Sequence, residues 1–149
     1  MISKRIMHVL GAGLPVAMLV LPFVTLLAQS DPQVAAIDRY LSERRFLVSY
    51  REGGPVYGSH IFLDVHYCSN GQYILSGESR RQTVLDNLQV NRWEDSGRWV
   101  VLRVEGRVGV RAVSRSGKVD FVAAEIAPDG SLWVGDGVSV RLQGPATCR

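Results

Sequence analysis

The sequence predicts an all-β protein, a small antiparallel up-and-down β-barrel of about seven to eight strands preceded by one α-helix. Three observations predict this class. Short segments of alternating apolar and polar residues follow one another from Phe46 onwards, turn pairs such as Asn70-Gly71 separate them, and no helical pattern lies between them. Strands joined by tight turns pair antiparallel, because parallel strands need long crossover connections. A β-sandwich is the alternative arrangement of the same strands.

Residues 1–28 have the three parts of a secretory signal peptide. Lys4 and Arg5 form a positive start, an uncharged apolar run extends from Val9 to Ala28, and polar residues follow. Because the run is long enough to span a bilayer, an uncleaved anchor is the alternative to cleavage. In both cases the rest of the chain is predicted to be periplasmic or secreted.

The charge balance argues against a nucleic-acid partner. The chain has a formal net charge of +3, and the leader contains two of its basic residues, Lys4 and Arg5. Bases and acids nearly cancel in the rest of the chain, so no long-range attraction to nucleic acid is expected. Membrane contact is then expected only through the leader, if the leader is not cleaved.

A short amphipathic helix is predicted within residues 29–45. Asp31 suits the N-cap, and Pro32 suits the first helical position. Four apolar residues then recur at helical spacing: Ala36, Ile37, Tyr40 and Leu41. Arg44 and Arg45 are expected at the C-terminal end of the helix, where positive charge is favourable.

Residues 46–149 are predicted to form the β-domain, and the turns set the register of its strands. Asn70-Gly71 is typical of a two-residue hairpin turn, which places Tyr67 opposite Ile74. Residues 105–107 are interpreted as a three-residue loop, because Val104 then lies opposite Val108 and apolar residues meet on every rung. In this register Val100 and Val104 face the interior, whereas Trp99 faces outward beside Val101.

The segment from residue 80 to 97 is too long for a hairpin turn, yet it contains several apolar residues. It forms either one strand over Leu88–Trp93 or a long loop with an apolar tip. Loops of this length in compact domains are usually functional or disordered. The segment is therefore the predicted ligand-binding or partner-binding loop, with Val84, Leu85, Leu88 and Trp93 as its contact residues.

Cys68 and Cys148 are the two cysteines of the chain. In an oxidising compartment a lone pair of cysteines is most simply a disulfide. A redox or nucleophilic cysteine is the alternative, but neither residue lies in a C-x-x-C motif. The disulfide is predicted to tie an early strand to the end of the chain.

Asp64 and His66 are weak candidates for a metal site. They lie two residues apart on a strand, so both side chains point to the same face. A metal ion needs at least one more ligand from a neighbouring strand, and Glu78 is the nearby acid. A polar outer face of the barrel explains the same pattern, and the prediction is accordingly that no metal is bound.

Arginines recur at a spacing of four residues, which predicts a basic stripe on one outward face: Arg103, Arg107, Arg111 and Arg115. Guanidinium groups bind phosphate and carboxylate bidentately, so such a stripe suits anionic sugars or lipid headgroups. A solvated outer face is the alternative interpretation.

The sequence contains none of the common catalytic motifs, neither a nucleophile elbow nor a zinc-protease helix nor a phosphate-binding loop. The protein is therefore predicted not to be an enzyme and to need no cofactor. A metal-assisted hydrolase at Asp64 and His66 is the weakest alternative.

Two resemblances point to exported proteins. The segments Cys68-Ser69-Asn70-Gly71-Gln72-Tyr73 and Ser96-Gly97-Arg98-Trp99 resemble a pattern in small exported bacterial β-barrel proteins of unknown function. The chain is also similar to the periplasmic membrane-bound lysozyme inhibitor family at Tyr67-Cys68, Cys148 and Trp133-Val134-Gly135, with a partial likeness to its inhibitory loop over residues 116–121. The second resemblance implies a small disulfide-closed barrel that acts on a cell-wall-degrading enzyme.

Small barrels either fill their interior with side chains or hold one small ligand. The functional expectation is a lipocalin-like, exported, non-catalytic binding protein that holds a small apolar ligand or lipid in the barrel or at its mouth. The alternative is a protein-interaction domain, such as an inhibitor of a cell-wall-degrading enzyme.

Overall fold

The computed structural model describes residues 31–54, 58–82 and 87–148. The helix α1 covers Pro32–Leu41, and the strands are β1 (Arg44–Glu52), β2 (Ser59–Tyr67), β3 (Gln72–Gln82), β4 (Leu88–Val104), β5 (Arg107–Ser114), β6 (Val119–Ala123), β7 (Glu125–Ile126), β8 (Leu132–Trp133) and β9 (Ser139–Pro145). Seven strands of the described chain form one antiparallel sheet in the order β6-β5-β4-β3-β2-β1-β9, and β7 pairs with β8. The predicted all-β antiparallel class with one N-terminal helix is confirmed. The predicted signal peptide lies outside the described residues.

The predicted barrel is not closed in the described part of the chain. β6 and β9 are the two edges of the sheet, and no ladder of hydrogen bonds joins them. After Ala124 the chain leaves the sheet, and β7 and β8 pair with each other around a turn at residues 128–130. β7 and β8 pair only with each other among the described strands, so they do not join β6 to β9. The sheet still encloses one concave face, because inward side chains of β1, β5, β6 and β9 line the same cavity.

The helix begins as predicted and ends earlier than expected. The Asp31 carboxylate accepts hydrogen bonds from the backbone N–H groups of Gln33 and Val34, at 3.0 and 3.4 Å. Ile37 and Leu41 are buried in the core. Glu43 has φ 61°, so the chain turns directly from α1 into β1. Arg44 and Arg45 therefore belong to the strand, and their predicted place at the end of the helix is wrong.

Two predicted registers are wrong by one residue. Tyr67 lies opposite Tyr73 rather than Ile74, because the backbone N–H of Cys68 donates to the carbonyl of Gln72 and the turn is one residue longer than expected. The β4–β5 turn is shorter than expected. Glu105 and Gly106 both have positive φ, 49° and 80°, which is the conformation of a two-residue hairpin turn.

This shift reverses the faces of β4. A slip of one residue moves every side chain of a strand to the opposite face. Trp99 and Val101, which were expected to face outward, are buried with exposed fractions of 6% and 5%. Val100 and Val104, which were expected to face inward, are exposed at 48% and 39%.

The core lies where α1 covers one end of the concave face. Leu41 and Phe46 are almost completely buried there, together with Ile37, Trp99, Val101, Val108 and Val110. The indole N–H of Trp99 donates to the carbonyl of Cys68 at 3.1 Å, and the ring packs edge-on against Tyr67. The helix and the aromatic side chains thus close one end of the fold.

Candidate functional site

A cavity of about 480 Å³ lies inside the concave face. Its walls come from β1, β2, β3, β5, β6 and β9, together with β8, so six of the seven strands of the sheet contribute to it. Most of its lining is apolar, including Val48, Leu63, Leu75, Val134, Val138 and Val140. Ligand pockets for small molecules have volumes of about 300–1,000 Å³ and mostly apolar walls.

The cavity exists because small aliphatic side chains line the sheet beyond the helix. Val48 lies between Leu63 on β2 and Val140 on β9, and all three are only partly buried although they point inward. Near the helix, by contrast, Phe46 fills the equivalent position on β1 and is 1% exposed. Where no large side chain fills the interior, the space is left to solvent or a ligand.

Polar groups stand at the edge of this apolar space. The ammonium group of Lys118 lies 2.9 Å from the Asp120 carboxylate, and both residues line the cavity with Tyr50. Burial raises the pKa of Tyr50, and the negative charge of Glu52 adds to this effect. The edge of the cavity therefore offers an ammonium group, a carboxylate and a phenol beside an apolar interior.

Tyr73 and Asp95 form a second polar contact on the inward face. The Tyr73 hydroxyl donates to the Asp95 carboxylate at 2.7 Å, and Asp95 lies opposite Leu75. Burial raises the pKa of Tyr73 well above its usual range, and the hydrogen bond to Asp95 raises it further. Burial also raises the pKa of Tyr67 to about 12. Both phenols keep their protons at neutral pH, and that of Tyr73 is donated to Asp95.

The predicted binding loop is largely a strand. Leu88 pairs with Gln82, and Trp93 pairs with Gly77, so β3 and β4 form one long hairpin. The indole of Trp93 packs on Gly77, where an added Cβ would come within 2.2 Å of the ring. Of the two alternatives, the strand is correct and the long loop is wrong. Val84 and Leu85 lie outside the described residues.

There is a physical reason why the sequence of residues 80–97 does not identify this segment clearly as a strand. Charged residues occupy both faces of this hairpin, among them Glu78, Arg80, Arg92, Glu94 and Asp95. They hide the alternation of apolar and polar residues by which strands are identified. Glu78 accepts hydrogen bonds from both Arg80 and Arg92, which stabilises the exposed part of the hairpin.

The two candidate metal ligands have partners within the protein. The Asp64 carboxylate accepts two hydrogen bonds from Arg45, at 2.8 and 2.6 Å, and these hold its pKa below the usual value. Nδ1 of His66 accepts the backbone N–H of Thr147 at 2.8 Å. The described residues contain no group of three or more histidine, cysteine or carboxylate side chains arranged to hold a metal. His66 instead fastens the C-terminal segment to β2, and Asp64 binds Arg45 on β1.

The predicted basic stripe is divided between two faces. Arg103 lies opposite the buried Val108, and its guanidinium binds the Asp31 carboxylate at 2.7 Å and the Gln33 side chain. Arg107 and Arg111 point outward from β5, and Arg115 lies in the turn that follows. A spacing of four keeps residues on one face only within a single strand, and the β4–β5 turn separates Arg103 from the others. The single outward stripe is therefore wrong.

The predicted disulfide between Cys68 and Cys148 is formed. Cys68 is buried with an exposed fraction of 2%. The bond joins the β2–β3 turn to the end of the chain, beside the contact between His66 and Thr147. The last residues are thereby held against the sheet by a covalent bond and a hydrogen bond.

Comparisons with protein families, curated proteins and solved structures find no match to this chain. The resemblances to exported barrel proteins and to lysozyme inhibitors therefore stay predictions. Within residues 31–148, as far as they are described, no helix has the length and apolar character needed to cross a bilayer.

Proposed function

We propose that this protein is an exported, non-catalytic binding protein that holds a small apolar ligand, such as a lipid chain, in the concave cavity. The cavity of about 480 Å³ with its aliphatic lining is the observation that carries the proposal. Burial of each methylene group contributes about 0.8 kcal/mol, so a ligand with six to eight such groups gains about 5–6 kcal/mol from the lining.

An exported location agrees with two features of the chain. Residues 1–28 have the pattern of a secretory signal peptide. The disulfide between Cys68 and Cys148 is of a kind that persists in oxidising compartments. A periplasmic or secreted protein with an apolar cavity is suited to carry or sequester a molecule that dissolves poorly in water.

The proposal is tested by filling the cavity. N-phenyl-1-naphthylamine, an apolar probe whose fluorescence increases in an apolar environment, is titrated into the unaltered protein and into the Val140→Phe variant. Val140 lines the cavity, so the larger ring occupies ligand space and the affinity should fall at least tenfold, or about 1.4 kcal/mol.

Val100→Phe is the matched control. It is the same substitution on the outward face, where Val100 is 48% exposed, and it should leave the affinity unchanged. Absence of probe binding to the unaltered protein, or equal binding by the two variants, refutes the cavity as a ligand site. Native mass spectrometry of protein purified from its host would identify a ligand retained there.

A protein-interaction role is the second candidate, and the free edge of β4 favours it. Residues 88–95 pair with β3 on one side, whereas β5 begins to pair only at Gly97. No other strand of the described chain covers this edge, and Leu88 and Val90 are exposed there at 62% and 41%. An uncovered edge is a template on which a strand of another protein can pair.

The edge is tested by Val90→Pro. The carbonyl of Ser96 accepts from Arg115 on the β5 side, and by alternation the N–H of Val90 also points to the free edge. Proline at this position removes a donor that β3 does not use. If the protein inhibits a lysozyme in a cell-wall clearing assay through this edge, Val90→Pro should abolish inhibition without unfolding the sheet. Inhibition that survives the substitution excludes the edge.

A further inference from the structure

The outward face of β4, β5 and β6 combines arginines with exposed aliphatic side chains. We call it the basic–apolar face and define it by Arg98, Val100, Val104, Arg107, Arg111 and Val119. All six residues are exposed to solvent. The three valines have exposed fractions between 39% and 51%, so each presents a large part of its aliphatic side chain to solvent.

The register of the sheet intermixes the two kinds of side chain. Val100 lies opposite Arg111, and Val104 lies opposite Arg107. Arg98 lies opposite Val113, which in turn pairs with Val119 on β6. Each guanidinium therefore stands beside an aliphatic side chain, and the face presents charge and hydrocarbon together.

The arginines of this face are not neutralised by the protein. None of the ion pairs found in the described residues includes Arg98, Arg107 or Arg111. From Arg98 to Val119 the outward positions of β4, β5 and β6 hold no acidic residue. Glu94 lies on the same face of β4, four residues before Arg98, and Glu105 lies in the β4–β5 turn. Asp120 follows Val119 but lines the cavity on the inward face. The outward faces of β2 and β3 differ, because there Asp64 pairs with Arg45 and Glu78 pairs with Arg80.

We propose that the basic–apolar face docks on the surface of a bilayer that contains anionic lipid. Guanidinium groups bind lipid phosphates bidentately, and aliphatic side chains enter the boundary between headgroups and acyl chains. The phosphates of a nucleic acid or the carboxylates of an acidic peptide would engage only the arginines and would leave the aliphatic side chains between them without an apolar partner. A lipid surface is the partner that uses both components of the face.

This inference does not depend on the cavity binding a ligand, and it differs from the expectation that only the leader contacts a membrane. Because the chain outside the leader is nearly neutral, attraction to anionic lipid must come from a local face. The face supplies three unpaired positive charges, each of which strengthens binding to an anionic surface about fivefold.

The test is sedimentation of the full chain with vesicles. Phosphatidylcholine vesicles are compared with vesicles in which about one third of the lipid is phosphatidylglycerol, at low and at raised salt. The protein should bind the anionic vesicles, and raised salt should weaken the binding. Arg98→Gln, Arg107→Gln and Arg111→Gln combined should reduce the affinity about 100-fold.

The matched control combines Arg39→Gln, Arg51→Gln and Arg141→Gln, three exposed arginines outside the face. It removes the same charge from the chain and should bind the anionic vesicles nearly as well as the unaltered protein. All variants carry the same N-terminal segment, so differences among them report on the face.

A second variant tests the apolar component. Val100→Ser, Val104→Ser and Val119→Ser combined keep every charge and should weaken binding about tenfold, since three side chains lose their burial in lipid. Circular dichroism verifies that each variant keeps its sheet. Equal binding to both kinds of vesicle, equal losses in the two arginine variants, or full binding by the serine variant overturns the proposal.

Discussion

Three polar side chains on β1 and β2, which link these strands to the C-terminal segment, show how single residues hold this fold together. Arg45 binds Asp64 with two hydrogen bonds, Asp64 lies 3.5 Å from Nε2 of His66, and His66 accepts the N–H of Thr147. The chain of contacts runs from β1 across β2 to the segment that carries Cys148. These contacts explain why an arginine, an aspartate and a histidine occur at these positions without a role in binding a metal or ligand.

We expect Asp64→Asn to make the protein less stable at neutral pH and less sensitive to acid. The hydrogen bonds from Arg45 hold the pKa of Asp64 below its ordinary value of 3.8 in the folded state. The stability that the ionised group contributes is present above the ordinary value and is lost as the pH falls through the folded value. The difference in unfolding free energy between the protein and the variant should therefore shrink as the pH falls from about 5 to about 2.

Chemical denaturation at a series of pH values measures this difference. Asp136→Asn, in an exposed turn, is the control and should leave stability unchanged. A difference between the protein and Asp64→Asn that stays constant down to the lowest pH would contradict the role of the ion pair.

A second prediction at this scale concerns Gly109. A Cβ atom there would lie 2.3 Å from the carbonyl oxygen of Val122 and 2.7 Å from the ring of Phe121. Gly109→Ala should cost about 1–3 kcal/mol of unfolding free energy, because both neighbours have to move. Gly54→Ala is the control, since none of the described residues beyond its chain neighbours comes within 4 Å of its Cβ position. Equal stability of the two variants in urea would show that the β5–β6 contact is looser than described.

At the scale of elements, the β4–β5 turn sets the register between the two strands and thereby decides which face of β4 is buried. Glu105 adopts φ 49°, a conformation more usual for asparagine or glycine, and the two-residue turn follows from it. Glutamate gives no local signal for this conformation, so a three-residue loop was the better prediction from the sequence. The register between β4 and β5 depends on the left-handed backbone of both Glu105 and Gly106.

Glu105→Asn should therefore stabilise the protein by about 0.5–1 kcal/mol. Asparagine tolerates the left-handed region better than glutamate, and the backbone does not have to change. Glu105→Val should act in the opposite direction, because a β-branched side chain is strained there. Urea denaturation of both variants measures the two effects, and a loss of stability in the asparagine variant would argue against this turn.

At the scale of the whole molecule, the fold is closed at one end and open at the other. The helix and the aromatic side chains fill the space near Phe46, whereas the cavity lies beyond it, and β6 and β9 do not pair in the described chain. An open sheet with a hollow interior has less packing to stabilise it than a closed barrel. The disulfide between Cys68 and Cys148 compensates by linking residues 80 positions apart.

Cys68→Ser combined with Cys148→Ser should lower the unfolding free energy by about 4 kcal/mol and the melting temperature accordingly. The bond restricts the unfolded chain over a long loop, which is the main source of its stabilisation in the loop-entropy description. Thermal unfolding with and without a reductant measures the effect. The reductant should lower the melting temperature of the unaltered protein and leave that of the double variant unchanged. If the reductant leaves the melting temperature of the unaltered protein unchanged, the stabilising role of the disulfide is contradicted.

The all-β class, the N-cap at Asp31 and the disulfide followed from the sequence alone. The antiparallel class depends on alternation and short connections, the cap on one local residue type, and the disulfide on two cysteines that have no other partner in the chain. Which face of β4 is buried, whether the sheet closes, where the cavity lies and which arginines share a surface were decided by the tertiary structure. The physical reason is that these features depend on turn lengths and on pairings between distant strands, where a difference of one residue exchanges the interior for the surface.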